Sequence, residues 1–373
     1  MKQTYKIGLW TMAAAVLGAL SLPAMAENRV VNVYNWSDYI DPAILEDFTK
    51  ETGITVKYDV FDSNELLETK LLAGKTGYDV VVPSSNFLGR QIGAGVFIKL
   101  DKSKLPNLTH VWPEVATRLA SFDPGNQYAV NYMWGTTGIG YNVAKIKERM
   151  PDAPLDSWKL VFDPDVISKF KDCGVMFLDA PDEIIPAALN YLGKDPNSRN
   201  PDDFTAAEEL LKKVRPFVKK FHSSEYINAL ANGDVCLVIG WSGDIKQAAS
   251  RAAEKNKTQK DPKKKVEIGY SIPKEGAGTF YDNLAIPKDA KNLEEAYAFI
   301  NYLLRPEVIA KASNAISYAN GNIDSQQFID KAILDDKSVF PDADTMKKLF
   351  TVLPLDQKSQ RDSTKVWREI KRK

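Results

Sequence analysis

Trp36-Ser37-Asp38-Tyr39, Trp241-Ser242-Gly243-Asp244 and Phe280-Tyr281-Asp282 each set an aromatic ring beside a carboxylate. Aromatic faces attract cations and cover methylene groups, while carboxylates pair with ammonium groups. If folding gathers the three stretches, they form a box suited to an organic cation. Whether they meet depends on the elements that carry them.

Those elements alternate between strand and helix patterns. Residues 30–34 and 54–60 read as strands, and residues 42–50 read as a helix ended by Gly53. Ser63 then caps a helix with Leu66, Leu67, Leu71 and Leu72 on one face. Residues 79–83 are a short, mostly apolar strand of the kind buried in a parallel sheet. This order marks an open α/β sheet, whose ligands sit at the carboxyl ends of its strands. Trp36 to Tyr39 follow the first strand, and Ser84-Ser85-Asn86 follow the third. The glycines of 135–142 allow bending at an inter-lobe crossover. Beyond them come a strand at 175–178, helices at 205–214 and 223–230, and a strand at 235–239. Residues 246–265 read as a solvated helix end and loop. The helix at 292–304 turns Ala296, Phe299, Ile300 and Leu303 inward.

Lys2 and Lys6 precede an uncharged apolar run that ends at Ala24-Met25-Ala26. A positive start, an apolar middle and an A-x-A site predict a cleaved secretory signal over 1–26. The remaining 347 residues exceed what one hydrophobic core usually serves, so two domains are expected. The full chain carries 49 basic and 49 acidic residues, and loss of Lys2 and Lys6 leaves 47 against 49. That balance gives no reason to expect nucleic acid or anionic lipid as a partner. Cys173 and Cys236 are the two cysteines. In an oxidising compartment such a pair is more often a disulfide than a metal site; two buried thiols are the alternative. His110 and His222 have no close Cys or His companions at ligand spacing, so no metal site is expected.

Enzyme signatures are lacking. Gly240-Trp241-Ser242-Gly243-Asp244 narrowly misses a nucleophile elbow, because Asp244 stands where the last glycine belongs. There is no P-loop, no H-E-x-x-H and no dinucleotide fingerprint after the first strand. An exported hydrolase using an acidic dyad stays open as the rival class.

Several segments together carry a family likeness: Asn35-Trp36-Ser37-Asp38-Tyr39-Ile40, Gly77-Tyr78-Asp79-Val80-Val81-Val82-Pro83-Ser84, Thr136-Thr137-Gly138-Ile139-Gly140-Tyr141-Asn142 and Ala231-Asn232-Gly233-Asp234. So do Phe177-Leu178-Asp179-Ala180-Pro181 and Ile272-Pro273-Lys274-Glu275-Gly276. The chain resembles the periplasmic polyamine-binding proteins of bacterial ABC importers, most nearly the putrescine-binding members. The likeness spans essentially the whole mature sequence.

The resemblance implies an α/β, two-lobed type II periplasmic-binding-protein fold, each lobe a central sheet flanked by helices, with the ligand between lobes. The expected division is 27–135 with 244–288 in the first lobe, and 136–243 with 289–345 in the second. Residues 346–373 form a C-terminal segment of either lobe. The resemblance assigns ligand-binding roles to Trp36, Ser37, Asp38, Tyr39 and Ser84. It also assigns them to Glu183 on the second lobe, to Trp241 and Asp244 at the second crossover, to Phe280 and Asp282 on the returning first-lobe segment, and to Tyr318 as a second-lobe tyrosine. A one-residue shift would give the role of Glu183 to Asp182. Asp244 and Asp282 are expected to hold one ammonium, and Ser37, Asp38 and Glu183 the other. The resemblance also implies a Cys173–Cys236 disulfide, no cofactor, a monomer and a membrane permease as partner. Putrescine is expected first, with spermidine or cadaverine weaker.

Overall fold

The computed structural model describes Met1 and residues 29–372. The export segment expected over 1–26 lies, Met1 apart, outside the described residues. Eleven strands join in one mixed sheet among the described residues. They are β1 (Val30–Trp36), β2 (Thr55–Phe61), β3 (Val80–Val81), β4 (Ala129–Asn142), β5 (Val175–Phe177) and β6 (Lys220–Phe221). β7 (Leu237–Trp241), β8 (Ile268–Ser271), β9 (Gly278–Ala285), β10 (Ala319–Asn320) and β11 (Phe350–Thr351) complete it. The main path runs β2-β1-β3-β9-β4-β7-β5-β6.

The opening units form as their patterns require. β1 pairs in parallel with both β2 and β3. Asp41 caps the helix Pro42–Thr52 by accepting from the N–H of Ala43, and Gly53 ends it at φ 70°. Ser63 caps the helix Asn64–Ala73. The apolar face expected there divides, however. Leu67 and Leu71, one turn apart, are buried, whereas Leu66 and Leu72 are exposed. Only the 67–71 line reaches the core, and its two flanking leucines turn outward.

β4 is the strand both halves share. From Ala129 to Thr136 it pairs with β9, and from Thr137 to Tyr141 with β7. None of its glycines has a positive φ. Gly135 makes room: a Cβ there would stand 2.8 Å from both the Phe280 ring and the Ser242 hydroxyl.

Two large cores flank this strand. One gathers Val31, Val33 and Val80 to Val82 with Leu284, Phe299, Ile300 and Ile309. The other gathers Phe162, Val175, Phe177, Leu189, Leu211 and Leu237 to Ile239. They correct the expected division between lobes. Ile245 and Ala248, from the helix Ser242–Thr258, belong to the second core. Of the stretch read as a solvated helix end and loop, Gln247, Ala248 and Ala252 pack inward on this helix, while its end beyond Ala252 and the loop to Lys265 are mostly exposed, as expected. Ala296, Phe299, Ile300 and Leu303, on the helix Leu293–Leu303, belong to the first core. Tyr318 is buried with them, so it is a first-lobe residue. The chain returns to the first lobe between Ala277 and Leu284. The C-terminal helix Gln357–Lys371 buries Val366, Trp367 and Ile370 in the second core. Cys173 and Cys236 form a disulfide within that core, closing 63 positions of chain with Cα atoms 5.5 Å apart.

Candidate functional site

The site assembles where strands end. β1 finishes at Trp36, whose indole N–H donates to the carbonyl of Val82 at 3.0 Å. β7 finishes at Trp241, and Asp244 lies in the first turn of the helix that follows. Phe280 and Asp282 are two apart on β9, so they face the same side. Trp36, Ser37, Tyr39, Ser84, Glu183, Trp241, Asp244, Phe280, Asp282 and Tyr318 line one narrow cavity of about 30 Å³ between the lobes.

Five rings form a continuous belt around it. Trp36 meets Trp241 edge to face at 5.6 Å between centroids, and Trp241 meets Phe280 at 6.2 Å. Phe280 meets Tyr318 at 6.0 Å, and Tyr318 meets Tyr39 at 5.0 Å. Gly243 permits the last part of this arrangement. A Cβ on it would fall 2.2 Å from the Tyr318 ring, whose hydroxyl donates to Asp244 at 2.7 Å.

Three carboxylates enter the belt. Asp282 accepts from the hydroxyls of Tyr39 at 2.7 Å and Ser84 at 2.5 Å. Asp244 accepts from Tyr226 and Tyr318, both at 2.7 Å. Glu183, in the first turn of the helix Pro181–Tyr191, accepts from the Thr137 hydroxyl. Burial pushes all three upward, Asp282 to about 6, Asp244 to about 7 and Glu183 to about 8. Asp182 adds to the rise at Glu183. Among the described residues, hydroxyls satisfy these acids and no Lys, Arg or His pairs with them. A buried carboxylate without a counter-charge is costly, and a cation placed between the acids relieves that cost.

Asp38 is the exception among the expected residues. It adopts φ 53° and turns out of the cavity to pair with Arg251 of the second lobe at 2.6 Å. The Gln247 side chain donates to its backbone carbonyl at 3.2 Å. Its geometry is that of a contact across the cleft rim, which corrects its expected place beside an ammonium. Of Asp182 and Glu183, it is Glu183 that lines this cavity. Asp182 instead accepts from the Asn86 amide at 2.6 Å and lines a different cavity.

The cavity also contains residues that the motif reading missed. Asp62, Asn64, Ser223, Ser224 and Ile227 line it. Asp62 lies 3.5 Å from the Ser37 hydroxyl and 3.4 Å from that of Ser224, contacting both lobes. It follows directly on β2, so the strand-end rule that found Trp36 would also have found it. His222 is not poised as a base: its Nδ1 accepts from the backbone N–H groups of Ser224 at 3.1 Å and Glu225 at 3.2 Å.

Comparison with known proteins places this geometry in a family. The family model for bacterial extracellular solute-binding protein matches residues 43–341. The chain is 54% identical over 362 residues to the putrescine-binding periplasmic protein SpuD of Pseudomonas aeruginosa, covering 97% of this chain and 96% of that one. It is 51% identical over 363 residues to the putrescine-binding periplasmic protein PotF of Escherichia coli, covering 96% of each. A solved structure described as a putative spermidine/putrescine ABC transporter from Listeria monocytogenes superposes with a TM-score of 0.81 at 34% identity. It covers 92% of this chain and 99% of that one. With its two lobes, shared strand and ring-lined cleft, the chain belongs to the bacterial extracellular solute-binding proteins.

Proposed function

We propose that this protein is the periplasmic receptor of a polyamine ABC importer, that putrescine is its preferred ligand, and that it performs no covalent chemistry. The observation that carries the reading is a set of three acids, Asp244 and Asp282 buried and Glu183 half-buried, inside a ring of five aromatics, with no Lys, Arg or His among the described residues paired to them. Amines of lysine-like basicity are protonated at neutral pH. A diamine therefore offers two ammonium groups joined by methylenes, matching acids held apart by rings.

Tyr39 and Tyr318 touch, and their hydroxyls each bind one of Asp282 and Asp244. That tyrosine pair holds the two aspartates around one ammonium. Glu183, Ser37 and Asp62 receive the other, Asp62 taking the part first given to Asp38. Trp36, Trp241 and Phe280 cover the methylenes, each well-placed ring contributing about 0.5–2 kcal/mol of cation–π attraction. Every ring contact favours a thin, unbranched guest, and the narrow slot admits it as the lobes part and re-close. Ligand that binds the closed form better shifts the population toward it. The permease then meets a closed, loaded, monomeric receptor. The similarity to SpuD and PotF, both named as putrescine-binding, supports the choice of ligand.

Calorimetry with putrescine, cadaverine, spermidine, lysine and glutamate tests the reading. Saturable binding with putrescine tightest is expected, and the ligand should be recovered unchanged. Tighter spermidine binding would reverse the ranking within the class. Absence of diamine binding, or turnover that depends on Asp244 or Asp282, would remove the receptor reading itself.

A further inference from the structure

A second cavity lies behind the cleft, in the first lobe. It is bounded by the helix Pro113–Leu119, by β4 and β9, and by the segment 326–347. At about 580 Å³ it is far roomier than the ligand slot and within the range typical of small-molecule sites. Its walls are Trp112, Trp134, Tyr281 and Phe340. Trp134 and Tyr281 are register partners on β4 and β9 and stack at 6.1 Å. Phe340 meets Trp134 edge to face at 6.5 Å. Strand alternation explains the location. Phe280 and Asp282 face the cleft, so Tyr281 between them faces this cavity.

The charged groups of the lining select the class of guest. Arg118 and Lys347 are the cations of the lining and Glu114 is its acid, but Lys347 is already paired with Asp344 at 2.9 Å, so Arg118 is the cation that meets a guest. Arg118 is paired with Glu114 at 3.1 Å, in an i,i+4 contact whose acid side chain is 56% exposed. Exposed helix pairs of this kind are worth only about 0.3–0.5 kcal/mol, so a carboxylate guest displaces Glu114 at small cost. The guanidinium fork then meets that carboxylate in bidentate fashion, with the rings stacked on a flat apolar body. We propose that this cavity is a second binding site, distinct from the cleft, for a small planar aromatic carboxylate.

The test uses benzoate as probe, with benzylamine as its charge-reversed counterpart. Both are titrated by ligand-observed NMR into the mature chain with putrescine present. Saturable benzoate binding is expected, without binding of benzylamine. Arg118→Gln should weaken benzoate by about tenfold or more, the scale of a lost charge-assisted hydrogen bond, and leave putrescine binding unchanged. Ala343→Trp, on the cavity wall, should block benzoate while the fold and putrescine binding persist. The Arg118 dependence locates the site whatever occupies the cleft. Absence of saturable benzoate binding, equal binding of benzylamine, or indifference to both substitutions would overturn the assignment.

Discussion

Asp79 and Asp282 are both buried first-lobe aspartates, 1% and 4% exposed, yet their surroundings treat them oppositely. Asp79 accepts five N–H donors: the backbone and side chain of Asn32, the backbone of Lys291, and the backbone and side chain of Asn292, all at 2.8–3.0 Å. Burial works to raise its pKa, but the donors from Asn292 and Asn32 outweigh it and hold the carboxyl below its usual range. Asp282 receives two hydroxyls, and burial wins, pushing it up to about 6. One acid has its charge stabilised by the fold. The other has its charge left for something else to neutralise, and Asp244 and Glu183 share that condition. A buried acid thus reports its purpose through its donors rather than its burial.

The strongest way to break this contrast is to remove the unpaired charges. Asp244→Asn or Asp282→Asn should weaken putrescine binding by about 2–5 kcal/mol, the cost of leaving a buried cation without its partner. Chemical denaturation of the unliganded variants at pH 8 should show no comparable loss of stability. Unaltered affinity in calorimetry would mean that these acids do not face the guest. Asp79→Ala should do the reverse. It should lower the unfolding free energy by about 3 kcal/mol through orphaned backbone donors, with affinity unchanged once the protein is folded.

Titration sharpens the same contrast. Asp282, Asp244 and Glu183 have folded pKa values raised to about 6, 7 and 8, against unfolded values near 4. The unliganded fold therefore holds more protons than the unfolded chain, and their effect is to lower stability as pH rises from about 4 through 6–8. Asp79 has the opposite sign. Its contribution is present above the unfolded value and is lost as pH falls through its lowered folded pKa. A bound diammonium keeps the cleft acids ionised, so binding near neutral pH should release protons. Affinity should fall as pH drops from 8 to 6, by about tenfold per pH unit for each proton released. Calorimetry in buffers of different ionisation enthalpy reads that release directly, and a result of no proton release would contradict the assignment. The smallest effect belongs to the rim. Asp38→Ala or Arg251→Ala should cost less than about 1 kcal/mol of affinity, and the loss should shrink at high salt, because that pair is partly exposed.

Much of this site was legible in the chain because its rings and acids sit at strand ends, where short apolar runs stop. Trp36 closes β1, and Ser84 follows β3. Trp241 closes β7, with Asp244 in the helical turn beyond it. Asp38 misled because residue type says nothing about a left-handed turn that aims its carboxylate at Arg251. Asp62 was passed over because it has no adjacent Trp or Tyr, although Phe61 precedes it. The lobe division failed at helices whose apolar faces are readable but whose destinations are not. Ile245 and Phe299 are both plainly inward residues, and nothing local states which core receives them.

The chain by itself determined which residues are rings, acids, caps and buried strands, since these follow from side-chain type and a period of two or 3.6 residues. Tertiary structure alone decided which acids would be quenched by the fold and which kept waiting for a cation. Tyr39 reaches Asp282 across 243 positions, and Asn292 reaches Asp79 across 213. A carboxylate's character depends on how many donors arrive at its two oxygens, and those donors come from parts of the chain that only the folded backbone brings near.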